Sequence, residues 1–348
     1  VSLPWHHGRG PGARRTRSPA LVRGPAPSVP CARRAAVRRW QYGLFADERK
    51  EMGAMEHPLT VGTDGSDAAF RSLDWAVDEA ARHGLPLRIV HASRWERYEG
   101  TAPGPERPGE QVLAENIVES AAAHARHRQA DIEVSGEVLA DDAVTALLNE
   151  ALHASVLVLG ARGLGEITGL LLGSVSLTVA ARARCPVIVV RGDPAGLAGT
   201  HERILLGVTD PAGEMAAVRF AFREAEARRC TLQAVCAWRH AAHGTADDPP
   251  LPEGADEQRA SALLDTALAE AAAAHPEVRV RRALVEGPAH KVLVHRAAAA
   301  DLLVVAAQRR RGHFGLQPGR VAHTALCHAA CPVAVVPQPA EPTPRRRD

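Results

Sequence analysis

From Leu59 onward the chain alternates short apolar runs with longer stretches whose apolar positions recur every three or four residues. That alternation predicts parallel β-α units rather than hairpins. A strand over 59–63 leads through Asp64, Gly65 and Ser66, the last a suitable N-cap, into a helix ending near Gly84. A strand over 87–91, a Pro/Gly-rich loop over 93–109, an Ala-rich helix, a strand around 132–138, a helix over 143–153 and a strand over 156–159 follow. A Gly-rich loop, a helix from about Ser174, the pair Cys185-Pro186 and a strand over 187–190 close the series.

The series then recurs from Ile204, which makes internal repetition the organising feature of the chain. Leu206-Gly207 answers Val61-Gly62, Val235 answers Val90, and Cys331-Pro332-Val333 answers Cys185-Pro186-Val187 at a spacing of 146 residues. The expected fold class is α/β, with two tandem, doubly wound, five-stranded parallel-sheet domains that pair within the chain, a pairing that also suits assembly into homo-oligomers. Their boundaries are 57–192 and 203–337, with a Gly/Pro-bearing linker over 193–202 and a short C-terminal tail over 338–348. Folds of this class bind ligands beyond the carboxyl ends of their strands.

Charge sets the first 56 residues apart. Residues 1–50 carry eleven basic side chains against Asp47 and Glu48, leaving 31 basic and 38 acidic residues in the rest, so the formal charge of +2 hides a basic tail on a mildly acidic body. The tail has many prolines and no apolar periodicity, and is expected to be disordered. The compositional break makes Met52 or Met55 the expected start of translation, with the residues upstream outside the protein proper. Aromatics at 3% disfavour the stacked-ring surfaces of single-strand nucleic-acid binders, and no apolar run has the length of a membrane span. Neither nucleic acid nor membrane is an expected partner of the folded body. The six cysteines include no CxxC pair, and Cys327 and Cys331 lie on a helical pattern, so reduced thiols, a cytoplasmic location and no metal site are expected.

One stretch carries chemistry. After the fourth strand stands Gly160-Ala161-Arg162-Gly163, then nine residues, then Gly173-Ser174-Val175-Ser176 opening a helix. Gly160 and Gly163 permit close backbone approach and positive φ, while Gly173 and Ser174 put free amides and a hydroxyl at a helix N-terminus, where an anion is favoured. Asp64 and Val90 face the same crevice if strands one and four are neighbours. The dinucleotide GxGxxG and the GxxxxGK[ST] P-loop are both missing at the corresponding places. No HExxH or GxSxG pattern occurs, so no catalytic residues are assigned. A lone histidine such as His91 or His153 is read as structural, and the charges Arg223, Glu224, Glu226, Arg228 and Arg229 as a solvated helix face.

At these residues the chain resembles the universal stress protein family, whose ATP-binding members carry Gly-x2-Gly-x9-Gly-[Ser/Thr] between the fourth strand and the last helix. Gly160, Gly163, Gly173 and Ser174 match at every specified position, Asp64 matches the family's acid after the first strand, and the resemblance runs over about 57–337 as a tandem pair. Ser155 stands where members often have an Asp before the fourth strand. The resemblance implies that Asp64 and Val90 contact the adenosine part, and that Gly160, Gly163, Gly173, Ser174, Val175 and Ser176 surround ribose and phosphates. Thr63 and Leu159, beside Asp64 and Gly160, complete the candidate set. In the second half Ala306, Arg309, Gly319 and Arg320 stand at the loop positions and Thr209 or Asp210 at that of Asp64, so that site reads as degenerate.

The expected function is binding of ATP, with or without Mg²⁺, in the first domain of a bacterial stress-response or signalling protein. An as yet unidentified partner protein reads its occupancy, and enzymatic activity extends at most to slow hydrolysis. The alternative is a nucleotide-using α/β transferase or slow ATPase.

Overall fold

The computed structural model describes residues 57–94, 109–163, 172–209, 214–239, 254–307, 309–312 and 315–338. The basic tail over 1–56 and nearly all of the C-terminal tail over 338–348 lie outside these residues.

In the first half, β1 (Leu59–Gly62), β2 (Leu87–Ala92), β3 (Val134–Leu139), β4 (Val156–Gly160) and β5 (Val187–Val190) alternate with α1 (Asp67–His83), α2 (Gly109–Arg128), α3 (Ala143–Glu150) and α4 (Ser174–Arg182). The short α5 (Pro194–Ala198) follows, and the second half repeats the scheme. Its strands are β6 (Arg203–Val208), β7 (Thr231–Trp238), β8 (Val280–Glu286), β9 (Leu302–Ala307), the extra pair β10 (Arg309–Gly312) and β11 (Gly315–Pro318), and β12 (Val333–Pro337). Its helices are α6 (Met215–Arg228), α7 (Ala255–Ala274), α8 (Ala289–Ala297) and α9 (Arg320–His328).

Local chemistry accounts for the boundaries. Ser66 caps α1, its hydroxyl oxygen accepting the Ala69 N–H at 3.2 Å. Gly84 ends the helix in the left-handed region at φ 65°. Between them Ala69, Leu73, Ala76, Val77 and Ala80 form the buried stripe. The helix expected over 143–153 tightens after Glu150, where Leu152 and His153 donate to Asn149 and Glu150 three residues back. The linker region holds a helix of its own: Asp193 caps α5 through the Gly196 N–H at 2.8 Å, and Gly199 closes it at φ 70°.

Each half has its main-sheet strands in the order third, second, first, fourth, last, all parallel. The expected pair of five-stranded sheets is fused into one ten-stranded sheet, because β5 and β12 pair antiparallel with Val187, Ile188 and Val189 opposite Val335, Ala334 and Val333. These six side chains are all buried, as expected of strands covered on both faces. One core layer lies under α1, α2, α6 and α7, with Trp75, Phe220 and Phe222 as its largest pieces. The other lies under α3, α4, α8 and α9. Both run unbroken across the seam. Gly62 and Gly207 perform the same task in the two halves: a Cβ would stand 2.7 Å from Leu159 Cδ2 at the first and 2.5 Å from Leu293 Cδ1 at the second.

Candidate functional site

β1 and β4 are neighbours, with Val61 in register with Val158. Their carboxyl ends therefore place Asp64 beside the loop that leaves Gly160. Gly65 turns the chain at φ 81°, and the Asp64 carboxylate accepts the Ser66 N–H at 3.0 Å through Oδ1. Oδ2 points at Gly163 so closely that a Cβ there would collide with it. A Cβ on Gly160 would stand 3.1 Å from both the Arg162 carbonyl and Ser72 Oγ. Space thus constrains Gly160 and Gly163, whereas a Cβ on Gly173 would make only ordinary contact, 3.5 Å from the Ala161 carbonyl; positive φ, the second expected reason, is realised at Gly65 and at none of Gly160, Gly163 and Gly173. The Gly173 N–H donates to the Ala161 carbonyl at 2.7 Å and closes the base of the loop, whose residues 164–171 lie outside the described ones.

Gly173 is the N-cap of α4, and the first-turn amides of Ser174, Val175 and Ser176 follow it. Ser174 is exposed, Val175 half-buried and Ser176 buried, with its hydroxyl donating to the Gly160 carbonyl at 2.6 Å. The Ser176 side chain therefore ties helix to strand. Val90 and Leu159 turn their side chains into the core. The Val90 carbonyl accepts the Thr63 N–H at 2.9 Å. His91 Nδ1 lies 2.8 Å from the Thr63 carbonyl, which fits the structural reading of that histidine. Thr63, Asp64, Gly160, Gly163, Gly173 and the first turn of α4 are thus gathered at the carboxyl ends of β1 and β4, the place of the expected crevice, while Val90 and Leu159 pack in the core beneath.

The second half is built otherwise at the same place. Thr209 donates to the buried Glu214 carboxylate twice, from its amide at 2.7 Å and from its hydroxyl at 2.5 Å. A carboxylate bonded to Thr209 thus sits at the carboxyl end of β6. The residues after β9 form the β10–β11 hairpin in place of an open glycine loop, and β11 lies against α4 of the first half. Arg320, at the position of Ser174, is exposed at the start of α9.

One constellation went unrecognised in the sequence. The charges of α6 are only partly a solvated face: Arg223, Glu226 and Arg229 are exposed, but Glu224 and Arg228 turn inward. They meet Glu79 and His83 of α1 across the seam. Arg228 Nη2 lies 2.6 Å from Glu79 Oε2 and its Nε 3.4 Å from Glu224 Oε2. His83 Nε2 lies 3.4 Å from Glu79 and 3.2 Å from Glu224, and Arg82 also pairs with Glu79. Arg228 stacks over Trp75, 5.4 Å from the ring centroid. Hydrogen bonds to Glu224 and Glu79 raise the His83 pKa to about 9. Burial, reinforced by the Glu79 charge, pushes Glu224 up to about 7. Burial opposes ionisation of Glu79 too, but Arg228, His83 and Arg82 together hold it well below the usual carboxylate range. The signal lay in the repeat: a shift of 145 residues superposes Glu79 on Glu224 and His83 on Arg228.

A tandem pair of mostly parallel, doubly wound α/β units, with a glycine loop and a strand-end acid in the first, defines the class as a two-repeat Rossmann-like fold. The universal stress protein family model matches residues 55–191 and 200–337. The chain belongs to the universal stress protein family, and carries its domain twice. It is 32% identical over 294 residues to universal stress protein Rv2005c of Mycobacterium tuberculosis, covering 81% of this chain and 98% of that protein. It is 33% identical over 246 residues to Rv3134c of the same organism, covering 71% and 87%. The crystal structure of a universal stress protein from Archaeoglobus fulgidus shares the fold at a TM-score of 0.61 and 15% identity, covering 82% of this chain and 99% of that one.

Proposed function

We propose that the first repeat binds one molecule of ATP and that its occupancy is the signal this protein carries in the stress response. The reading is carried by the fit between Asp64 and Gly163: a carboxylate and a backbone glycine meet with no room for a Cβ, at the carboxyl ends of adjacent strands. The carboxylate suits ribose hydroxyls, which donate to it. The amides at the start of α4 and the cleared backbone at Gly160 and Gly163 suit phosphate oxygens. Thr63 and Val90 supply backbone at the edge where the base would lie. Signalling follows if a partner protein has different affinity for the bound and empty crevice. The second repeat, with Ala306, Arg309 and Arg320 at the loop positions, serves as scaffold.

The test is mass spectrometry of small molecules released on denaturing the purified chain, followed by titration calorimetry of ATP. One ATP per chain is expected, and Gly163→Val, which displaces Asp64, is expected to abolish it. Two equivalent sites, or unchanged affinity in Gly163→Val, would refute the assignment.

A further inference from the structure

A second concavity lies at the seam, outside the crevice. It has a volume of about 410 Å³, within the range of small-molecule sites, and is lined among others by Arg71 of α1, Ala161 and Arg162 after β4, Arg191 and Asp193 beyond β5, and Ala330. Among the described residues, three arginines therefore line it with a single carboxylate. Asp193 already accepts the Gly196 N–H. Arg191 is anchored, donating to the carbonyls of Ala329 at 2.9 Å and of Leu326 at the end of α9. Burial, with the Arg162 charge nearby, holds the Arg191 pKa below the ordinary guanidinium value. Arg71 and Arg162 have neither a hydrogen bond nor an ion pair among the described residues. Like charges gathered without a counter-ion repel one another, and a bound anion removes that repulsion.

We propose that this seam pocket binds a small phosphate-bearing anion, separate from the nucleotide of the crevice, through the guanidinium groups of Arg71 and Arg162 above the fixed charge of Arg191. Among the described lining residues three cations against one carboxylate leave two positive charges, matching a phosphate dianion better than a single carboxylate. Planar guanidinium forks bind phosphate oxygens in pairs without needing free backbone amides. The pocket shares a wall with the crevice, because the Ala161 carbonyl also receives the Gly173 N–H that closes the loop. Any coupling between ligands of the two sites is reciprocal.

The experiment is calorimetric titration of the full chain with inorganic pyrophosphate at low ionic strength, where charge pairing is least screened. Saturation at one pyrophosphate per chain is expected, weakened about tenfold or more by Arg71→Glu and by Arg162→Gln. Arg71 is exposed on α1, so its replacement leaves the unfolding midpoint in place. The source of the phosphate is settled by titrating ATP into Arg71→Glu: unchanged ATP affinity alongside lost pyrophosphate binding supports a separate site. If ATP affinity falls in parallel and ATP displaces pyrophosphate, the pocket holds the nucleotide's own phosphate tail and the separate site is wrong. Absence of saturable binding in the wild type, or unchanged pyrophosphate affinity in Arg71→Glu, also overturns it.

Discussion

Replacing Arg228 by methionine keeps most of the side-chain volume and removes the cation that holds the two halves' buried carboxylates together. Side-chain exposure is 1% at Glu79 and 4% at Glu224, so water cannot take over the lost partner. Breaking a buried ion pair on one side costs about 3–5 kcal/mol; Arg228 serves two acids, but His83 and Arg82 remain as partners, which keeps the loss within that range. At about 2–4 °C per kcal/mol for a domain of this size, the melting midpoint should fall by up to roughly 20 °C at neutral pH. The assay is reversible urea unfolding of wild type, Arg228→Met, Glu79→Gln and the double variant, monitored by far-UV circular dichroism. Because Glu79 is the acid most dependent on Arg228, the double variant should recover part of the loss, giving a coupling of about 1–3 kcal/mol. A loss below about 1 kcal/mol in Arg228→Met, or strict additivity in the cycle, would show that the network does not bind the halves together.

The same cluster sets a pH dependence. The folded pKa values of Glu224 and His83 lie above their unfolded values, at about 7 and about 9. Their contribution is therefore present at low pH and lost as pH rises, first through 7 and then through 9. Denaturant midpoints should decline over that window, and His83→Gln should flatten its upper part. Glu79 acts oppositely, its contribution being lost in acid below the ordinary carboxylate pKa. Gly62→Ala and Gly207→Ala each force a Cβ against leucine side chains and should cost about 1–3 kcal/mol by overpacking; equilibrium unfolding checks both, and a neutral result would mean that the leucines yield. The described carboxylate of the crevice, Asp64, accepts the Ser66 N–H and is assigned to the ribose rather than to an attacking water, so single-turnover phosphate release from bound ATP should be far slower than a typical enzyme's roughly 10 s⁻¹.

The succession of strands and helices, and the meeting of Asp64 with the glycine loop, were legible because each rests on simple rules. Apolar runs bounded by Gly and Pro mark strands, and Ser66 and Gly84 mark the ends of α1 where the structure has them. Three features escaped for physical reasons. The fusion at β5 and β12 depends on an edge-to-edge match that neither strand declares alone. The inward turn of Glu224 and Arg228 depends on a partner helix 145 positions away, and a buried charge reads as a surface charge until that partner is known. The hairpin of β10 and β11 replaces a loop by pairing Arg309 with Pro318, a choice driven by tertiary packing against α4 rather than by local propensity.

The antiparallel junction of β5 and β12 gives the molecule a polarity that a chain of parallel units would lack. Strands of the two halves point their carboxyl ends in opposite directions, so the two crevices open at opposite poles of one slab. A protein that docks over the first crevice gains no access to its counterpart, and the seam between them carries no free sheet edge. Drift in the second half, where Thr209 bonds Glu214, therefore takes place away from Asp64 and the first glycine loop. The two ends of the sheet are chemically distinct, the Gly160-x2-Gly163 loop standing at one of them alone.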